Sequence, residues 1–267
     1  MRRRPTHRSE RRQRFRRPLI NFDLRKAMFV LPNLFTVSSI FCGVYAIVNV
    51  SNGPSPHDFY QACVAVFFGA FFDMIDGRVA RLTRTQSDFG VQLDSLADLV
   101  TFGVAPAIIT YQWALAPLNL LGIGIAFIYV AAGAIRLARF NVLAARSPAL
   151  SPYFIGLPIP LAAGTITCVV MYHQRTIQDS LQDPGGIICL LLLIALLMVS
   201  NVRYRNFKDV KKGTKAFYFL LSLVALLLAV GTIFRPTLAI VTFFFGYVTV
   251  GLVESALSLV RTKIPTE

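Results

Sequence analysis

Eight windows of this chain carry little or no charge over close to the ~20 residues that a helix needs to cross a hydrocarbon core. By number they are 29–50, 59–80, 90–113, 118–139, 153–172, 187–202, 216–234 and 236–260. In hydrocarbon each backbone polar group must find its partner within the segment or its closed neighbours, and runs of this length meet that demand as helices. The expected class is an all-α membrane protein, a polytopic helical bundle of about eight transmembrane helices. Composition agrees, with 55% hydrophobic and only 15% charged residues and a mean hydropathy of +0.60. The third window is the least obvious because it holds Asp94 and Asp98, and Pro158 and Pro160 are expected to kink the fifth.

Basic residues fix the expected sidedness. An alternating path with the N-terminus inside puts 25 lysines and arginines on the cytoplasmic side and leaves Arg175 and Arg235 on the other, a strong positive-inside bias. The net charge of +14 therefore reads as topology and not as nucleic-acid binding. Residues 1–26 form a basic arm, expected to be disordered until it meets anionic membrane lipid. Residues 27–260 form one transmembrane domain and 261–267 a cytoplasmic tail, which makes the inner membrane the expected site if the source is bacterial. The N-terminal arm has no signal-peptide pattern. Cys42, Cys63, Cys168 and Cys189 stand singly in apolar windows, without the spacing of a zinc site, and are expected to be buried and inert.

Five of the thirteen acids lie between Asp73 and Asp98. Asp73, Asp76, Asp94 and Asp98 fall inside or at the ends of apolar windows, where an unpaired carboxylate costs at least about 2–3 kcal/mol. Asp73 and Asp76 are three apart, Asp94 and Asp98 four apart, so each pair shares one helix face. The short polar turn 83–88 lets the two faces meet near the cytoplasmic interface. Four carboxylates so placed suit hard divalent cations, Mg²⁺ or Mn²⁺, and two ions would offset most of their repulsion. Gly77, Ala80 and Gly90 leave little side chain beside them, and Arg81 offers a planar fork to a phosphate. The plainer alternative, interfacial salt bridges to Arg78, Arg81 and Arg84, asks three arginines to neutralise two acid pairs on two helices.

The run Asp73-Met-Ile-Asp76-Gly77-Arg-Val-Ala80-Arg81, then eight residues, Gly90, three, Asp94, three, Asp98 resembles the CDP-alcohol phosphotransferase motif at all eight fixed positions. The resemblance implies a six-helix core, often a homodimer, in which the four aspartates hold two divalent ions. It further implies that Gly77, Ala80 and Arg81 receive the CDP moiety and that Asp98 serves as general base. A carboxylate would then take the proton from an attacking alcohol. Crowded acids and a cation act on that carboxylate in opposite senses, so its basicity is left open.

Ser95 and Leu99 occupy positions where glycerophosphate-using relatives tend to have proline and lysine. With the blocks Arg136-Leu-Ala-Arg139-Phe-Asn141, Phe154 to Pro160 and Leu31 to Thr36, the chain is similar to the serine-using branch of the family. The implied substrates are CDP-diacylglycerol and L-serine. Glycerol 3-phosphate, inositol phosphate or an archaeal CDP-ether lipid are the alternatives within the family, and a membrane transporter is the alternative outside it. Arg136 and Arg139 are three apart and could point into one cavity to hold a serine carboxylate or a phosphate. Asn33 and Thr36 are further candidates for the nucleotide; near Pro32 at a helix start they could instead satisfy backbone.

Overall fold

The computed structural model describes residues 24–146, 153–176 and 184–205, with isolated helical positions at 241, 242, 244 and 246. The tail, nearly all of the basic arm and most of the last two expected spans lie outside the described residues. Helix α1 runs Leu24–Asn49 and α2 Pro56–Thr83. A 31-residue helix, Asp88–Leu118, comes next in pieces: α3 Asp88–Asp98, a π-helical stretch Leu99–Val104, α4 Ala105–Thr110, a second π-helical stretch Tyr111–Leu115 and a last 3₁₀ turn. Then come α5 Leu120–Arg146, β1 Tyr153–Ile155, α6 Ile159–Thr176, α7 Gly185–Val199 and β2 Arg203–Arg205. The two three-residue strands pair antiparallel, Phe154 opposite Tyr204, so the described chain is helical apart from this small clasp.

Among the described residues three helices, Leu31–Asn49, Asp88–Leu118 and Leu120–Ala145, are long and apolar enough to cross a membrane. Helix α1 packs along α2, α2 also meets α6, and α5 meets α7. Tyr129, Phe102, Ile109, Leu157, Ile166 and Leu191 are fully enclosed in the resulting core. Outward faces are as apolar as the core. On α1, Leu34, Val37, Phe41, Val44 and Val48 are exposed at helical spacing, and Leu82 and Leu120 are exposed above 80%. In water such a stripe would drive association, whereas lipid tails accept it without penalty.

Three sequence expectations change. Pro158 and Pro160 do not kink a span: Pro158 precedes α6 and Pro160 is its second residue, where a missing N–H has no helical partner to lose. Pro32 lies inside α1, not at its start. Cys189 is exposed, while Cys42, Cys63 and Cys168 are buried as expected.

Candidate active site

Local sequence builds the hairpin that carries the acids. Helix α2 ends where Arg84 turns left-handed, φ 54°, and the Thr85 N–H closes back onto the Ala80 carbonyl at 3.0 Å. Ser87 opens α3 as its N-cap, its hydroxyl accepting from the Gly90 N–H at 3.0 Å. Four residues, 84–87, therefore turn the chain so that side chains of α2 and α3 can meet across the opening between them.

Across that hairpin, carboxylate oxygens of Asp73, Asp76 and Asp94 all lie within 4.8 Å of one another. Asp76 is buried and accepts a hydrogen bond on Oδ2 from the Thr36 hydroxyl of α1 at 2.8 Å. Asp98 sits one turn deeper, its carboxyl in hydrogen-bonding reach of Asp73. The four expected acids thus divide into a trio and a fourth. Three oxygen donors on two rigid helices, at separations that a single hard cation can span with little movement, fit a divalent ion. Among the described residues this is where such a group occurs.

Beside the trio opens a cavity of about 260 Å³. Its walls hold every residue expected on the nucleotide side: Asn33, Thr36, Gly77, Ala80, Arg81 and Gly90, together with Asp76 and Asp94. Gly90 has little room for a side chain, since an added Cβ would stand 3.2 Å from the Ser87 hydroxyl and 3.6 Å from Asn33 Oδ1. The Arg81 guanidinium lies over Gly77, Nη1 3.6 Å from where a Cβ would sit, an ordinary contact distance. Thr85, Gln86 and Ser87 also line the cavity. In sequence they read as plain turn residues; their position between the two halves of the acid pattern is the available signal.

Arg136 and Arg139, expected to share one cavity, diverge. Arg136 is buried, its guanidinium carbon 5.7 Å from the Phe140 ring centre, and its Nε has no hydrogen-bond partner among the described residues. Its charge faces Asp98. Arg139 instead donates to Asn201 Oδ1 at 2.6 Å and to the Val199 carbonyl at 3.4 Å. Two residues three apart differ by about 60° in azimuth on an α-helix, and the adjacent carbonyl end of α7 draws the second cation to itself. Two residues further, Asn141 donates to the Ser95 hydroxyl at 2.8 Å, joining α5 to the acid helix between Asp94 and Asp98.

Comparison with known proteins agrees with this geometry. The CDP-alcohol phosphatidyltransferase family profile matches residues 29–199. A CDP-diacylglycerol–serine O-phosphatidyltransferase of Helicobacter pylori strain J99 is 39% identical over 88% of this chain and 94% of its own length. The protein of that name from Bacillus subtilis strain 168 is 35% identical over 68% of this chain and 93% of its own length. An archaetidylserine synthase of Methanothermobacter thermautotrophicus is 31% identical over 67% of this chain and 70% of its own length. With the eight motif positions gathered around one acid trio and its cavity, and the profile spanning both, the chain belongs to the CDP-alcohol phosphatidyltransferase family.

Proposed function

We propose that this chain transfers a phosphatidyl group from CDP-diacylglycerol to the hydroxyl of L-serine, releasing CMP. The observation that carries the reading is the carboxylate trio, oxygens within 4.8 Å, opening onto a cavity walled by the motif's small residues and Arg81. Such a site suits a diphosphate, which needs counter-charge, close backbone and a phosphate-facing arginine together. The names of the relatives supply the acceptor.

Asp73, Asp76 and Asp94 would hold divalent cation, Mg²⁺ or Mn²⁺, with Asp98 completing a second position beside Asp73. When bound, the cations neutralise the diphosphate and the departing CMP. Thr36 fixes the Asp76 carboxylate, and Arg81 with Asn33, Gly77, Ala80 and Gly90 receives the CDP moiety. Asp98 takes the proton from the serine hydroxyl as the serine oxygen bonds to the lipid-side phosphorus and the bond from that phosphorus to CMP breaks. Arg136, a buried cation whose Nε–H has no partner among the described residues, binds the serine carboxylate. Arg139 braces α5 against α7 and stays outside this set.

Around the site we infer eight spans with a six-helix core, the acids and the N-terminus on the cytoplasmic side, and a homodimer. The basic arm, residues 1–26, meets anionic lipid. The likeness to an archaetidylserine synthase favours a second donor, an ether-linked CDP-lipid, because generic apolar side chains meet the tails in either case.

Replacing Asp98 by Asn keeps the shape of the side chain and removes the base. CMP release is expected to fall by about 10²–10⁴-fold while CDP-diacylglycerol binding stays within a few-fold of wild type. Wild-type-like turnover in the purified, metal-replete variant would remove Asp98 from the proton transfer.

A further inference from the structure

The acid helix changes pitch one residue after Asp98. Over Leu99–Val104 the backbone is π-helical, and the Ala105 N–H reaches back to the Val100 carbonyl, five residues earlier. A wider turn rotates the helix downstream of it relative to the helix upstream, and such stretches persist only where neighbours hold them. Here three helices do so. From α5, the fully buried Tyr129 donates its hydroxyl to the Phe102 carbonyl at 2.9 Å. From α1, the Ser39 carbonyl accepts from the Thr101 hydroxyl at 2.9 Å, and the Ser39 hydroxyl lies 3.3 Å from the same oxygen.

Small residues let the third contact form. A Cβ at Gly43 of α1 would stand 2.9 Å from the Thr101 Cα, and one at Gly69 of α2 would collide with the Thr101 methyl. Thr101 is completely enclosed. Thr101 and Phe102 come three and four residues after Asp98, one turn along the same face. Whatever fixes the π-helical stretch therefore fixes the azimuth at which Asp98 and Asp94 meet Asp73 and Asp76.

We propose that Tyr129, with the Ser39–Thr101 pair, is a positioning element for the carboxylate cluster: the buried phenol hydroxyl locks the π-helical turn that aims Asp94 and Asp98 at α2. The proposal rests on the metal-binding role of the acid trio and goes beyond it, since none of the three residues belongs to the motif or lines the cavity. The hydrogen bonds tie the acid helix to positions 27 and 62 residues away, on helices that carry no acid of the cluster.

The test uses the full-length purified chain in detergent. Mn²⁺ binding is followed by loss of the free-ion electron paramagnetic resonance signal, alongside metal-free melting temperature and CMP release. Tyr129→Phe keeps the ring and removes the hydroxyl. It is expected to weaken Mn²⁺ binding by at least about 10-fold, the range seen when groups that orient metal ligands are removed, and to lower kcat with the CDP-diacylglycerol KM little changed. Thr101→Val is expected to do the same and Thr101→Ser, which keeps the hydroxyl, to restore binding. Thr165→Val in α6, which deletes a buried hydroxyl bonded within its own helix, serves as the control for simple destabilisation.

Wild-type Mn²⁺ affinity in Tyr129→Phe, or a melting temperature that falls without change in affinity, would overturn the proposal. Should Tyr129→Phe not fold, the Thr101 pair decides it: equal affinity in Thr101→Val and Thr101→Ser would overturn it as well. Failure of the unmutated chain to bind Mn²⁺ would sink the metal-binding role itself, and that failure is distinct because it needs no variant.

Discussion

Arg136 and Arg139 stand one turn apart on α5, yet one is buried with an Nε–H unpartnered among the described residues and the other is spent on the end of α7. A charge-assisted hydrogen bond contributes about 1.5–3 kcal/mol, so Arg136→Ala is expected to raise the serine KM by about 10–100-fold. Arg139→Ala is expected to leave serine KM near wild type and lower the melting temperature. Measuring both constants in both variants checks the division; equal KM shifts would reunite the pair. At this scale the four aspartates were legible because helical periodicity alone puts residues three and four apart on one face. Thr36 was legible only as a polar residue with two possible uses. Its bond to Asp76 joins positions 40 apart in sequence, which no local pattern encodes, and the same holds for Tyr129 and Phe102.

Among the elements, the first six apolar windows each meet a described helix, the fifth only from Ile159 onward. The last two fall mostly outside the described residues, and the turn 84–87 falls where the polar residues indicated. The π-helical stretches were not legible, since a single extra residue in a turn barely disturbs an apolar run in which nearly every side is buried or faces lipid. Helix α2 shows what local sequence does encode. Ser55 caps it: its hydroxyl accepts from the Asp58 N–H at 3.3 Å, while the Asp58 carboxylate accepts from the Ser55 N–H at 2.8 Å, a reciprocal box. That carboxylate lies outside the membrane span, and the Ser55 hydroxyl and backbone hydrogen bonds hold its pKa below the ordinary carboxylate value.

A depressed folded-state pKa means that the cap's support is complete above about pH 4, the unfolded value, and is lost as pH falls through the lower folded one. Ser55→Ala is expected to destabilise the protein by about 1 kcal/mol at neutral pH, read as a lower melting temperature. CMP release should be unaffected, because the cap stands roughly 27 Å along α2 from Asp73 at 1.5 Å per residue. Loss of activity in a variant that remains folded would mean that the two ends of α2 are coupled.

At the scale of the whole molecule, apolar faces turned outward and acids gathered at one end belong together. Asp73 and Asp76 are in the later half of α2, Asp94 and Asp98 in α3, the opening piece of the next long helix. The hairpin between them carries Arg78, Arg81 and Arg84, the basic residues expected at a membrane edge. A water-soluble nucleotide head and a lipid tail can meet only at such an edge, which is why the charged site and the apolar belt occur in one bundle. The family was legible because its motif encodes both: carboxylate spacing sets the helix faces, and small residues set the clearing. The acceptor was legible only by likeness, at Ser95 and Leu99 and in the blocks 31–36, 136–141 and 154–160, since a small alcohol leaves no periodic signature.

The reaction itself supplies the most direct measurement. Purified full-length protein is given CDP-diacylglycerol in mixed micelles with Mn²⁺ or Mg²⁺, and CMP release is followed with L-serine, glycerol 3-phosphate and inositol phosphate offered separately. Release is expected with serine, little with the other two, and none after chelation of the metal. Preference for glycerol 3-phosphate or inositol phosphate would contradict the serine assignment, and no CMP with any acceptor would contradict the transfer reaction.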